Sequence, residues 1–453
     1  VCCLRVSEGA DSAHINQTNG EQMFSNMKRR VAVVSALAVI AAVAPALSSS
    51  SVTAAPSTTV GGAAPGDTHT YLACPVSAGI PSAGFTDTTS ANVDCIAYYG
   101  ITTGVTATTY EPDASIPRWQ MALYLTRMAS KAGHTLGSGA DQGFTDISGQ
   151  SAATQTAINQ IKQLGVTVGK TATTFAPDDN VTREEMALFV NRLLALTTPG
   201  VGGNSDGSAT STKIVGDAGD SYNYTDIDAG VTYDGHQAIV SLYNLGVPGH
   251  AKTVTTFAPA GNITRSEMAD WIVNALDHTN VRPAGVTIQL SANSGYGNAS
   301  PSVHISYRDA NHVPVSGQII DAFSWQNGAP PANGSPWDTA GNCTAYTAGL
   351  GQSLTKCQMD VGDSSTNALG NLATITTSSS VSAVTPTTFY AWTAAAGTKY
   401  DNDTHAAEVS SISGTTTSFA GVLLITCDSP AAAVSADTAV GGVTHKDMTN
   451  VQH

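Results

Sequence analysis

Two periodicities divide the chain. In its middle part apolar residues recur at helical spacing. Ile158, Ile161 and Leu164 form one such run, closed by Gly165; Ile239, Leu242 and Leu245 form another, closed by Gly246. A glycine just past the last apolar residue is a helix stop, because it accepts the left-handed backbone found there. Longer stripes run through Met121, Tyr124, Leu125 and Met128, through Met186, Phe189, Val190, Leu193 and Leu194, and through Met268, Trp271, Ile272, Ala275 and Leu276. After Arg282-Pro283 the period drops to two: Val286, Ile288 and Leu290 alternate with polar residues, as do Val303, Ile305 and Tyr307. Further strands are predicted at 318–325, 371–376, 388–392 and 421–426. Turn-rich segments between them predict an antiparallel sandwich.

The helical part is repetitive. FTDTTS from Phe85, FTDISG from Phe144 and YTDIDA from Tyr224 each open a segment. A short helix follows (CIAYYGIT, INQIKQLGVT, IVSLYNLGVP), then a loop and helix start (TTYEPDASIPRWQ, TTFAPDDNVTREE, TTFAPAGNITRSE). Each segment reads as helix, loop, helix. Two short helices cannot bury such stripes alone, so the three must pack as one bundle. The domains are therefore a linker with Cys74 at 55–84, repeats at 85–133, 144–196 and 224–280, a surface-loop insertion at 197–223, a β-sandwich at 284–427 and a disordered tail at 428–453.

The N-terminal part reads as an address. Met27-Lys28-Arg29-Arg30 precedes an apolar run over 31–47, and Val52-Thr53-Ala54 offers small residues for cleavage. Residues 27–54 thus have the layout of a secretory signal peptide; residues 1–26 are read as an upstream extension outside the fold. A retained anchor would need about 20 uninterrupted apolar residues, so no transmembrane anchor is expected. Export makes disulfides the default for cysteines. Cys74 with Cys95 and Cys343 with Cys357 are the economical pairs, leaving Cys427 odd. Zinc would want CxxC-like spacing, which is missing.

Composition narrows the partners. Of 453 residues 42% are apolar and only 12% charged, with 19 Lys and Arg against 34 Asp and Glu, a net charge of −15. Nucleic acid needs clustered cations to neutralise phosphates, so it is excluded. HExxH and GxxxxGK[ST] do not occur, and an SxxK at Ser353–Lys356 has no KTG companion. A non-catalytic protein is expected.

The FxD opening, xxLG helix end, TFxP loop and TRxE helix start, in that order three times, resemble the S-layer homology (SLH) domain. The resemblance implies a pseudo-threefold bundle whose grooves hold a secondary cell-wall polysaccharide, often acidic and pyruvylated, without covalent attachment. It assigns the binding role to Asp87, Asp146 and Asp226 and to Arg118, Arg183 and Arg265. The first repeat departs from the pattern, with Pro117 for the capping Thr and Gln120 for Glu. The strand-rich part resembles a bacterial immunoglobulin-like domain through 309–323 and 367–377, implying a spacer or adhesive module. The expected fold class is multidomain: an all-α SLH-like bundle of three helix-loop-helix repeats, then an all-β immunoglobulin-like sandwich.

Physical chemistry sharpens the arginine question. Thr182 with Glu185, and Thr264 with Glu267, fit a capping box. An arginine in the first helical turn opposes the helix dipole, at about 0.3–1 kcal/mol, so it requires an anion. One reading pairs each arginine with an FxD aspartate as a bundle staple. The other makes arginine plus helix N-terminal amides a site for a sugar carboxylate, with Trp119 stacking on sugar or packing in the core. Tethered weak sites would gain apparent affinity of about 10²–10⁴. No cofactor is expected: Asp217, Asp220, Asp226, Asp228 and Asp234 are close enough to consider calcium but lack EF-hand spacing. The expectation is a secreted, wall-anchored surface protein that can self-associate in a surface lattice. The alternatives are an adhesin acting through its β-domain and a wall-bound glycan hydrolase.

Overall fold

The computed structural model describes residues 71–201, 214, 222–250, 253–291, 294–295, 302–326, 360–376, 387–393 and 416–421. The expected signal peptide, the upstream extension, the Cys343–Cys357 pair, Cys427, the SxxK sequence and the tail lie outside these residues. Among the described residues a 3-10 turn (Val76–Ala78) precedes six α-helices: α1 (Ala91–Tyr98), α2 (Arg118–Lys131), α3 (Ala152–Gln163), α4 (Arg183–Leu196), α5 (Tyr233–Asn244) and α6 (Arg265–Asp277). Their starts follow local chemistry. Ser90, Ser151 and Thr232 each accept an amide three residues on, and Thr182 and Thr264 form complete capping boxes with Glu185 and Glu267. Pro117 offers α2 no such cap. Gly165 and Gly246, just beyond α3 and α5, take φ of 78° and 73° as their helix-stopping role requires.

The helices close into a ring. The second helix of each segment packs on the first helix of the next: α2 on α3, α4 on α5, and α6 back on α1. At the centre Ile116, Val181 and Ile263 are fully buried. The Val181 amide donates to the Ile116 carbonyl (2.9 Å), and the Ile263 amide donates to that of Val181 (3.0 Å). Bridges pair Pro117 with Asn180, Thr182 with Asn262 and Ser115 with Thr264, one at each junction between segments. The apolar stripes of all six helices meet in one core. The 197–223 insertion is not wholly superficial, because Ile214 and Tyr222 enter that core. A surface-loop reading from polar composition misses such isolated anchors.

Among the described residues eight strands follow: β1 (Gly285–Leu290), β2 (Ser294–Gly295), β3 (Ser302–Arg308), β4 (Ile319–Gln326), β5 (Asp360–Ser365), β6 (Ile375–Thr376), β7 (Thr387–Thr393) and β8 (Thr416–Gly421). They form a three-stranded sheet, β1-β3-β6, and a five-stranded sheet, β2-β8-β7-β4-β5. Both sheets contribute to one apolar cluster, with Ile288, Val303 and Ile305 from the first and Ile320, Ala322 and Phe389 from the second. One pair, β2 with β8, is parallel, contrary to a purely antiparallel expectation. The strand expected at 371–376 shrinks to two residues. Of the strand expected at 421–426 only Gly421, the last residue of β8, is among the described residues, and β5, with sequence DVGDSS, had no apolar alternation to announce it.

Residues 71–79 are not a free linker. They run between bundle and sheet, with Cys74 bonded to Cys95 of α1, Ala73 buried in the helical core, and Leu72 hydrogen-bonded to Gln289 of β1.

Candidate functional site

The three junctions between segments share one construction. In each loop the FxD aspartate accepts two consecutive backbone amides. Asp87 takes those of Tyr110 and Glu111 (2.9 and 2.8 Å), Asp146 those of Phe175 and Ala176 (2.9 and 2.7 Å), and Asp226 those of Phe257 and Ala258 (2.9 and 2.7 Å). The second residue of each pair has positive φ: 58° at Glu111 and 56° at both Ala176 and Ala258. The aspartates therefore clamp left-handed turns, with both carboxylate oxygens taken by loop amides. The Glu111 and Tyr110 amides hold the Asp87 carboxyl below its ordinary pKa. Among the described residues no FxD aspartate forms an ion pair with an arginine, so the first reading of the staple is corrected in its partner.

The helix-start amides are also occupied. Arg118 and Trp119 donate theirs to the carbonyls of Asp179 and Pro177 (both 2.9 Å). Arg183 and Glu184 donate to Gly261 and Pro259 (2.9 and 3.0 Å), and Arg265 and Ser266 to Ala114 and Pro112 (both 2.9 Å). Each helix start is thus plugged by the loop of another segment. The expected anion site on free N-terminal amides does not exist in this form, because backbone carbonyls already satisfy the first two donors.

The guanidinium groups pair in a cycle, each reaching the third helical residue of the following segment. Arg118 Nη1 lies 3.0 Å from Glu185 Oε1. Its Nε donates to the Phe175 carbonyl (2.8 Å), and the group sits over the Phe175 and Phe189 rings at 4.7 and 5.4 Å. Lys170 Nζ approaches the same Glu185 oxygen at 2.6 Å. Arg183 pairs with Glu267. Arg265 closes the cycle on Gln120: its Nη1 donates to Gln120 Oε1 (2.6 Å), its Nε to the Tyr110 carbonyl (2.7 Å) and its Nη2 to the Tyr124 hydroxyl (3.0 Å). Among the described residues no carboxylate lies within 4 Å of Arg265.

The two glutamates do double duty. Oε2 of Glu185 and of Glu267 accepts the N-cap amide of its own helix, while Oε1 holds the arginine of the preceding segment. Burial raises the Glu267 pKa, but the Thr264 amide and Arg183 outweigh it and hold the group below its usual value. Burial pushes Arg118 down, opposed by Glu185. Near Arg183, burial and that guanidinium lower the pKa of His250. Exposure separates the three arginines: Arg118 and Arg265 are buried, while 21% of the Arg183 side chain is open. Trp119 is half-buried beside Gln120.

Sequence reasoning singled out three arginines that the structure places at the junctions, but missed the glutamate partners, Lys170, and the turn-clamping role of the aspartates. The recurrence of Glu three residues after Thr is the available signal, and a capping box accounts for it without calling for a second partner. Of the acidic residues weighed for calcium, Asp228 accepts from Tyr222 (2.6 Å) and Asp234 lies 3.5 Å from Arg192; Asp217 and Asp220 are outside the described residues. Among the described residues no His, Cys, Asp and Glu group could hold a metal ion.

Comparison with known families matches residues 143–187 to the S-layer homology domain. The match spans the Asp146 turn, α3 and the start of α4 with Arg183 and Glu185. No curated protein matches the chain. An SLH domain is therefore present, consistent with a cell-surface or cell-wall-associated protein held without a covalent bond. Among the described residues no helix is long and apolar enough to cross a membrane.

Proposed function

We propose that the protein is secreted, non-catalytic and held on a secondary cell-wall polysaccharide by all three segments acting as SLH-like repeats. Its β-region is an outward immunoglobulin-like module, available for self-association in a surface lattice. The matched family supports the anchoring role, and the equivalent bonds at all three junctions support extending it beyond 143–187.

One observation carries the ligand chemistry: among the described residues the Arg265 junction has the neutral Gln120 where Arg118 and Arg183 meet a glutamate carboxylate. A sugar acid, such as a pyruvyl carboxylate, displaces only the neutral Gln120 amide there. At the other junctions it must replace a glutamate that also caps a helix. Arg183 is the most open of the three and is the second contact. The aspartates serve by shaping the loops. Net repulsion between a −15 chain and an acidic polymer acts only within about a Debye length, ~8 Å at physiological salt.

Sedimentation of the full chain with purified wall sacculi, with and without their non-peptidoglycan polymer, tests this. Binding requires the polymer, Arg183→Ala weakens it about tenfold with unchanged helical circular dichroism, and Gln120→Glu weakens it similarly while stabilising the fold. Equal binding to stripped sacculi would sink the reading.

A further inference from the structure

We propose that residues 71–79 are a strap that fixes the β-region on the helical bundle, and that the Cys74–Cys95 disulfide is its redox-operated latch. The argument is independent of what the bundle binds.

The strap grips both bodies: Tyr71, Leu72 and Ser77 face the sheet, Ala73 and Cys74 the bundle, and a 3-10 turn at Val76–Ala78 ends it. On the helical side the Ala73 amide donates to Asp277 Oδ1 at the end of α6, the Tyr99 hydroxyl donates to the Ala73 carbonyl (2.6 Å), and Cys74 is bonded to Cys95 within α1. On the sheet side Leu72 exchanges two hydrogen bonds with the Gln289 side chain: its amide donates to Oε1 (2.7 Å) and its carbonyl accepts from Nε2 (2.9 Å). Ser77 Oγ donates to the Ile288 carbonyl (3.2 Å), and the Tyr71 ring rests on that of His304 with centroids 4.8 Å apart. β1 is an edge strand of its sheet, and the strap lies along it.

These sheet-side contacts run through side chains, not a backbone ladder. They are individually weak against the freedom an untied segment would regain. The covalent bond is what keeps the strap at the joint. Cys74 is partly exposed and Cys95 fully buried. An external dithiol, as thiolate, attacks Cys74 Sγ, and Cys95 leaves as a thiolate that takes up a proton. The reagent's second thiol then attacks the mixed disulfide, releasing Cys74 as a thiol. The reagent loses two electrons and two protons and becomes a disulfide; the protein gains both. Cys95 then remains in the core as a small apolar side chain, so reduction frees the strap and spares the bundle.

A second leg of the joint survives reduction. Arg308 of β3 donates to the Asn280 carbonyl (2.9 Å), Asn280 donates to that of Leu369 (3.0 Å), and the Ala284 amide donates to the Tyr98 hydroxyl (3.0 Å). The β-region therefore pivots on this leg when the strap lets go.

Amide hydrogen exchange on the full chain tests the latch. In Cys74→Ser/Cys95→Ala the Leu72 and Ala73 amides exchange at least tenfold faster than in the parent, while α1–α6 keep their protection and helical signal. Gln289→Ala speeds Leu72 but not Ala73. If the double variant folds poorly, the parent is titrated with dithiothreitol while alkylation of Cys74 and Cys95 is followed by mass spectrometry. Strap exchange then rises in step with alkylation. The proposal is overturned if the strap amides stay protected without the disulfide, or if the bundle loses protection together with them.

Discussion

A left-handed backbone costs a residue bearing a Cβ about 1–2 kcal/mol, yet Glu111, Ala176 and Ala258 all adopt it, each beneath an FxD carboxylate. Ala176→Gly and Ala258→Gly should relieve that strain. Glycine's extra unfolded freedom takes back about 0.5–1 kcal/mol, so each should raise stability by roughly 0.5 kcal/mol in urea unfolding. A loss would mean that the turn is not strained. Asp146→Ala, leaving two loop amides without their charged acceptor, should cost about 1–3 kcal/mol. The aspartates were legible in the sequence as a recurring position, but not as turn clamps. Their partners lie more than twenty residues away, and no periodicity announces a positive φ.

The helices themselves were readable from apolar spacing and capping residues, since both signals are local. What joins them was not. The cyclic order, in which Arg118 meets Glu185, Arg183 meets Glu267 and Arg265 meets Gln120, depends on ring closure, and a linear string of segments does not reveal that its last member touches its first. The capping glutamates should therefore prove costlier to replace than caps usually are. Glu185→Gln, which copies the natural Gln120 arrangement, should cost about 1–2 kcal/mol. Glu185→Ala should cost about 3 kcal/mol, because it strands the buried Arg118 charge. Thermal unfolding of the two variants checks the order, and equal costs would show that only the cap mattered. Below about pH 4 a related loss sets in. Asp87 and Glu267 are held beneath their ordinary values, so the stability they add is present above their unfolded pKa and disappears as pH falls through the folded one.

At the scale of the whole molecule the strand pattern was legible where apolar alternation was clean, in β1 and β3. It failed where strands are short or polar, in β5 and β6. The junction of bundle and sheet left no sequence signal, because Asn280, Arg282, His304 and Arg308 read individually as ordinary polar residues. His304 is buried beside both arginines, and burial and their charges hold its pKa far below the usual histidine value. It is neutral in the fold and protonates more readily when unfolded. Its contribution is therefore complete above about pH 6.5 and is lost as the medium acidifies below that. Denaturant midpoints between pH 7 and 5 should fall in the parent and stay flatter in His304→Gln. A slope identical in both would place the acid sensitivity elsewhere.

Because α6 returns to pack on α1, the chain enters and leaves the ring through the same corner. A mechanical tug on the β-region would be delivered to the seam between the last and first segments, where Arg265 faces a neutral amide. The two glutamate-sealed seams lie outside that load path, so traction would pry open one wedge of the ring and leave the other two shut.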